Sequence, residues 1–280
     1  GDIRAMMRVW AVGMLIIIVT TVAMLLPGDN LLWHNLRLYN GYMLCAIAIA
    51  FWLMRRFSRI TAAWATMGLH NVAGLLSLAG VLLSIAPLLN STMPFIGYLT
   101  ILIAPICAMI FVAHSYRALS DHNGTHTLSA HWTALFVILI FLAIGLATIL
   151  MIPGIHHHAQ HTILIDLPST LMTHALLAIS LAMLNQSIAE MRGINARITG
   201  LLPFWCISFG IAAATLSQLL IGVVQVYLIQ LFDINPTVAQ AALAPLSIMW
   251  TISGGFFVMG IIFYALGVMR RRLRFDNMLQ

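Results

Sequence analysis

Eight long apolar runs constrain this chain more than any other feature of its sequence. They cover residues 6–26, 31–54, 62–86, 94–116, 129–152, 163–189, 200–231 and 239–268, and each reaches the roughly 20 residues that a helix needs to cross a bilayer core. Inside hydrocarbon every backbone N–H and C=O must be bonded within the protein, so only helices and closed barrels can span. The runs lack the apolar–polar alternation of a barrel strand, which leaves helices. The expected fold is therefore all-α: a polytopic membrane protein, a bundle of eight transmembrane helices forming a single membrane domain over residues 1–280. Composition agrees, since 62% of the residues are hydrophobic and only 7% charged, against about a quarter charged in a soluble domain.

The breaks between runs carry turn chemistry. They are Pro27-Gly28-Asp29-Asn30, Asn90-Ser91, Asp121-His122-Asn123-Gly124, Pro153-Gly154 and Asp233-Ile234-Asn235-Pro236. Orientation follows from arginine, because the chain has no lysine and twelve of its thirteen arginines fall in alternate connections. Arg4 and Arg8 precede the first run; Arg55, Arg56 and Arg59 follow the second; Arg117 follows the fourth; Arg192 and Arg197 follow the sixth; Arg270, Arg271, Arg272 and Arg274 close the chain. Arginine excess marks the cytoplasmic side, which puts both termini in the cytoplasm of a bacterial inner membrane and leaves Arg37 alone outside. The same alternation accounts for a pI near 9.8 without a nucleic-acid partner. Gly1 is not an initiator methionine, so the expectation is a processed chain or one preceded by further residues.

Ionisable groups inside a bilayer are costly and therefore informative, and here most are histidines. Of eleven, His34 begins the second run and His174 lies about two turns into the sixth, both in the outer half. His70, His114 and His131 sit in the inner half. A membrane haem needs imidazoles from two helices at similar depth, so His34 and His174 are the candidate haem ligands, weighed against ordinary packing roles. The tract His156-His157-His158-Ala159-Gln160-His161 has the composition of a metal site, but consecutive histidines on an irregular loop fix no coordination geometry. His156, His157, His158 and His161 are thus weak metal candidates beside a solvated-loop reading. Cys45, Cys107 and Cys206 lie within apolar runs without metal-type spacing and read as free buried thiols. Asp166 beside Pro168-Ser169-Thr170 reads as a helix cap. Gln218 and Gln225, seven apart on one helix face, read as glue between helices or the lining of a polar path, with packing the favoured role. The glycines Gly74 to Gly80 and Gly254-Gly255 to Gly260 suit close helix approach or room for a flat cofactor.

Residues 200–272 carry Leu202-Pro203-Phe204-Trp205, then Ile221-Gly222-Val223-Val224-Gln225-Val226, then Ser253-Gly254-Gly255-Phe256-Phe257-Val258-Met259-Gly260. In that order they resemble the last two helices of the haem-copper oxidase superfamily, in particular the nitric oxide reductase large subunit and the cbb-type oxidases. Ser169-Thr170-Leu171-Met172-Thr173-His174 resembles the family helix whose His-x-His pair ligates two haems, with only the second histidine present. Leu32-Trp33-His34-Asn35 resembles the helix that ligates the non-haem metal, and His34 matches that ligand. The resemblance also implies an adjacent His-His pair near Leu82 to Ile85, where no histidine stands. His70 lies about four turns, roughly 20 Å, too early to replace it. The family's first four helices have no counterpart.

These matches and departures imply a subunit of a respiratory membrane complex without its own binuclear centre, structural or accessory and non-catalytic on its own. The alternatives are a haem b electron-transfer subunit using His34 and His174, or one piece of a split nitric oxide reductase. Partners on these readings are other membrane subunits, the lipid bilayer and a cytochrome c or quinol donor. A transporter would want broken helices or paired carboxylates near the midplane, and the sequence offers neither clearly.

Overall fold

The computed structural model describes residues 2–25, 30–57, 62–92, 94–120, 127–159, 162–192 and 199–276. Among them there are helices, turns and no strand. The long helices are α1 (Asp2–Ala23), α4 (Ala62–Thr92), α5 (Pro94–Ser120), α6 (Thr127–Leu150), α8 (Leu167–Arg192), α9 (Leu202–Leu231) and α11 (Ser247–Asp276). Shorter ones are α2 (Asn30–Leu36), α3 (Met43–Phe57), α7 (Pro153–Ala159) and α10 (Pro236–Leu243). Six described stretches are long and apolar enough to cross a membrane: Arg4–Ala23, Leu32–Leu53, Thr127–Leu150, Ile163–Arg192, Leu202–Gln230 and Ile248–Met269. In α4 and α5 the described apolar stretches, Asn71–Ala86 and Ile101–Ala113, are shorter. The protein is a multi-pass membrane protein.

The helices depart from the apolar runs at informative places. The run 31–54 is not one regular helix, because Arg37–Tyr42 forms a π-helix between α2 and α3. The last run begins later than expected: residues 236–246 form α10 and a 3-10 turn, Ala244–Leu246, before α11 starts. Pro245 within that turn has no N–H to continue the α-helical ladder of α10, which interrupts it there. The sixth run opens as a 3-10 turn, Ile163–Asp166. Asn90 and Ser91 do not break α4, which continues to Thr92. Pro153 and Gly154 open the short helix α7 rather than an irregular loop. The turn before α10 forms as expected, with Asp233 at φ 51° and the Asn235 side chain accepting from Thr237 N at 3.0 Å, a standard helix cap. The expected breaks at 27–29 and 121–124 lie outside the described residues.

The chain divides into two compact units, Gly1–His157 with Pro168–Met183, and His158–Leu167 with Leu184–Gln280. The first has a close-packed apolar core that includes fully buried Met43, Ile47, Leu76, Phe111, Trp132 and Phe136. Phe111 and Phe136 join α5 to α6 edge to face, with ring centroids 6.2 Å apart, a favourable aromatic arrangement. In the second unit α9 and α11 pack along much of their length. A Cβ on Gly210 would lie 2.9 Å from Ser253 O, and one on Gly260 would lie 2.5 Å from the Ile207 side chain. Trp250 Nε1 donates to Ala214 O at 3.2 Å across the same helix pair. Gly74, Gly254 and Gly255 make no such contact, so only the second member of each glycine pattern mediates close approach.

Candidate functional site

His34 lies in α2, half-buried, one turn before the π-helix. Its Nδ1 faces Arg37 Nη2 at 3.4 Å. A guanidinium has only donors, so in this arrangement Nδ1 is the acceptor. An iron on Nε2 would need Nδ1 to carry the proton, and Arg37 would then have to turn away. His174 lies in α8, also half-buried, beside Leu171, Met172, Ala175 and Ala178, which are fully buried. That is an apolar seam of the kind a b-type haem favours. His34 and His174 belong to the same compact unit.

The remaining histidines separate. His131 is exposed in α6 and its Nδ1 donates to Thr127 O at 2.6 Å, one turn back. The side chains of His70 and His114, and all of His122, His126 and His161, lie outside the described residues. His156, His157 and His158 occupy consecutive positions of helix α7 rather than an irregular loop. Consecutive helical residues project about 100° apart, so these three rings diverge. His156 Nδ1 donates to Leu150 O at 3.2 Å, whereas His157 and His158 are exposed. Among the described residues no three His, Cys, Asp or Glu side chains are grouped to hold a metal ion. Cys45, Cys107 and Cys206 are free thiols. Where the haem-copper resemblance implies a His-His pair, α4 carries Leu82, Leu83, Ser84 and Ile85, with Leu83 and Ser84 buried and Ser84 Oγ donating to Gly80 O at 2.8 Å.

Two polar joints stand out that histidine-centred reading passes over. In the first, Asn40 of the π-helix meets α4. With the amide turned to satisfy both its ends, Nδ2 donates to Ser77 O at 2.8 Å and Oδ1 accepts from Val81 N at 3.2 Å. Ser77 O and Val81 N are the two ends of one helical turn. Gly80 lies beside them because a Cβ there would collide with Tyr39 O. A π-helix inside a span is unusual and often marks a special position.

In the second joint, α9 holds the 3-10 turn. Gln225 Oε1 accepts from Ile163 N at 2.9 Å, and Gln218 Nε2 donates to Ile163 O at 3.2 Å. Both glutamines are buried, at 3% and 2% exposure. Between them Gly222 receives Leu164, whose Cδ2 would lie 2.7 Å from a Cβ at that position. The turn itself is capped by Thr162, whose hydroxyl accepts from Leu164 N at 3.3 Å and donates to Ala159 O at 2.8 Å. The sequence signal for this joint was the Gln218–Gln225 spacing; their bonding partner, an irregular backbone segment over 50 residues away in the chain, left no mark of its own.

No family model matches the chain, and no curated protein matches it.

Proposed function

We propose that this chain is a structural or accessory subunit of a bacterial respiratory membrane complex, derived from the haem-copper fold and without a binuclear centre of its own. The observation that carries this reading is that Leu82-Leu83-Ser84-Ile85 of α4 stand where the resemblance implies two metal-ligating histidines. A dinuclear site that loses this pair loses most of its ligand set, while a fold outlives such chemistry readily. On this reading the eight apolar runs are eight spans, and the arginine alternation places both termini on the cytoplasmic side of the inner membrane. The chain's partners are then other membrane subunits.

A second reading is a haem b electron-transfer subunit, favoured by the half-buried His174 in its apolar seam. His34, or a residue of another subunit, would supply the second axial ligand. A third, one piece of a split nitric oxide reductase, would place the absent ligands on a partner chain.

Affinity purification of the tagged chain from its native membrane in mild detergent separates these. The accessory reading expects a stable assembly of fixed stoichiometry whose haem and metal belong to other subunits, and His174→Ala should leave both the assembly and its spectrum unchanged. Loss of a low-spin haem signal in His174→Ala would favour the carrier instead. Recovery of the chain alone, with no partner at any detergent concentration, would sink the accessory reading.

A further inference from the structure

Arg37, the first residue of the π-helix, is half-buried, and no carboxylate among the described residues pairs with its guanidinium. Its one hydrogen bond runs from Nη2 to His34 Nδ1 at 3.4 Å, a long contact to an uncharged acceptor. Nε is buried and has no partner. The chain as a whole carries 13 arginines against 7 carboxylates, so it cannot neutralise each cation from within. A half-buried charge without a counter-ion is costly, most of all inside a membrane span. The partner of Arg37 therefore comes from outside the chain.

Position selects the partner. Arg37 lies five residues inside the start of the span Leu32–Leu53, about 8 Å from its end at a rise of 1.5 Å per residue. A long side chain at that depth reaches the headgroup layer. Trp33, one turn nearer the end and also half-buried, is of the type enriched at that level. The anion that a bilayer presents there in quantity is phosphodiester. A guanidinium offers parallel N–H groups that match two oxygens of such a group, which binds more strongly than a point charge. The contact with His34 holds the plane of the fork.

We infer that Arg37, braced by His34, binds the phosphodiester of a membrane lipid headgroup at this end of the span. The inference rests on the membrane span and not on the accessory reading. It excludes a haem iron on His34 Nε2, which would put a proton on Nδ1 and turn Arg37 away.

The experiment is native mass spectrometry of the full chain in detergent, with added phosphatidylglycerol, a diacylglycerol of the same acyl chains, or inorganic phosphate. A thermal-unfolding series runs beside it. Wild-type protein should retain phosphatidylglycerol and gain thermal stability from it, whereas the diacylglycerol, which lacks the phosphate, should do neither. Arg37→Gln removes the charge and should weaken retention by about tenfold. Arg37→Lys keeps the charge, loses the fork and should fall between the two. If Arg37→Gln fails to fold, Arg37→Lys and the comparison of the two lipids on wild-type protein carry the test. Equal retention of both lipids, or equal retention of phosphatidylglycerol by wild-type and Arg37→Gln protein, would mean that water or a partner subunit's carboxylate completes Arg37. Stabilisation by inorganic phosphate with no gain from lipid would mean a soluble anion. Each of these results overturns the proposal.

Discussion

The two polar joints use one kind of chemistry in opposite directions. At the first, the irregular element supplies the amide: Asn40 of the π-helix reaches the main chain of the regular helix α4. At the second, the regular helix supplies the amides: Gln218 and Gln225 of α9 reach the main chain of the irregular turn at Ile163. Each sits beside a glycine that permits close approach, Gly80 against Tyr39 O and Gly222 against Leu164. The difference lies in which backbone depends on the bond. Ser77 O and Val81 N are natural partners of each other within α4 and can pair without Asn40, whereas the Ile163 N–H opens the 3-10 turn, ahead of the turn's own i→i+3 ladder, and has no such alternative. Backbone at membrane depth has to be bonded by the protein, so the second joint is a requirement and the first a device that sets register.

Four substitutions should rank the two joints. The largest effect is expected from Gly80→Leu, because the obstacle is main chain that cannot move aside; overpacking of this kind costs about 3 kcal/mol, read as loss of folded protein after a heating series in detergent. Gly222→Leu should cost somewhat less, about 2 kcal/mol, since the Leu164 side chain can shift, and the same heating series should rank it second. Gln225→Leu strands the Ile163 N–H in an apolar setting and should cost about 1.5 kcal/mol. Asn40→Leu should be mildest, about 1 kcal/mol or below, because α4 closes its own turn. If Asn40→Leu proves costlier than Gln225→Leu, the distinction between a required bond and a register device is wrong.

Much of the helical layout was legible because hydrocarbon permits so few solutions: apolar runs of spanning length have to be helices. The boundaries at Asn235 and Pro236 were legible from turn chemistry. What the periodicity of apolar residues could not reveal is the irregular backbone within a run. Arg37–Tyr42 and Ile163–Asp166 lie inside stretches of spanning length, and their geometry is set by tertiary partners, Ser77 and Val81 for one and two glutamines for the other. The pairing of Gln218 with Gln225 was visible as a shared helix face, and packing was the correct role, but a side chain gives no hint that it will bond distant main chain. The tract His156 to His158 illustrates the weakness of composition alone, since a helix sends the three rings apart.

The proposal under test is that this chain belongs to a respiratory complex without carrying that complex's redox centre. Its most direct test is a reduced-minus-oxidised spectrum with pyridine haemochrome and metal analysis on the purified chain, freed of partners. The accessory reading expects neither haem nor metal in stoichiometric amount. One haem b per chain, lost in His174→Ala, would contradict it and establish an electron carrier in its place.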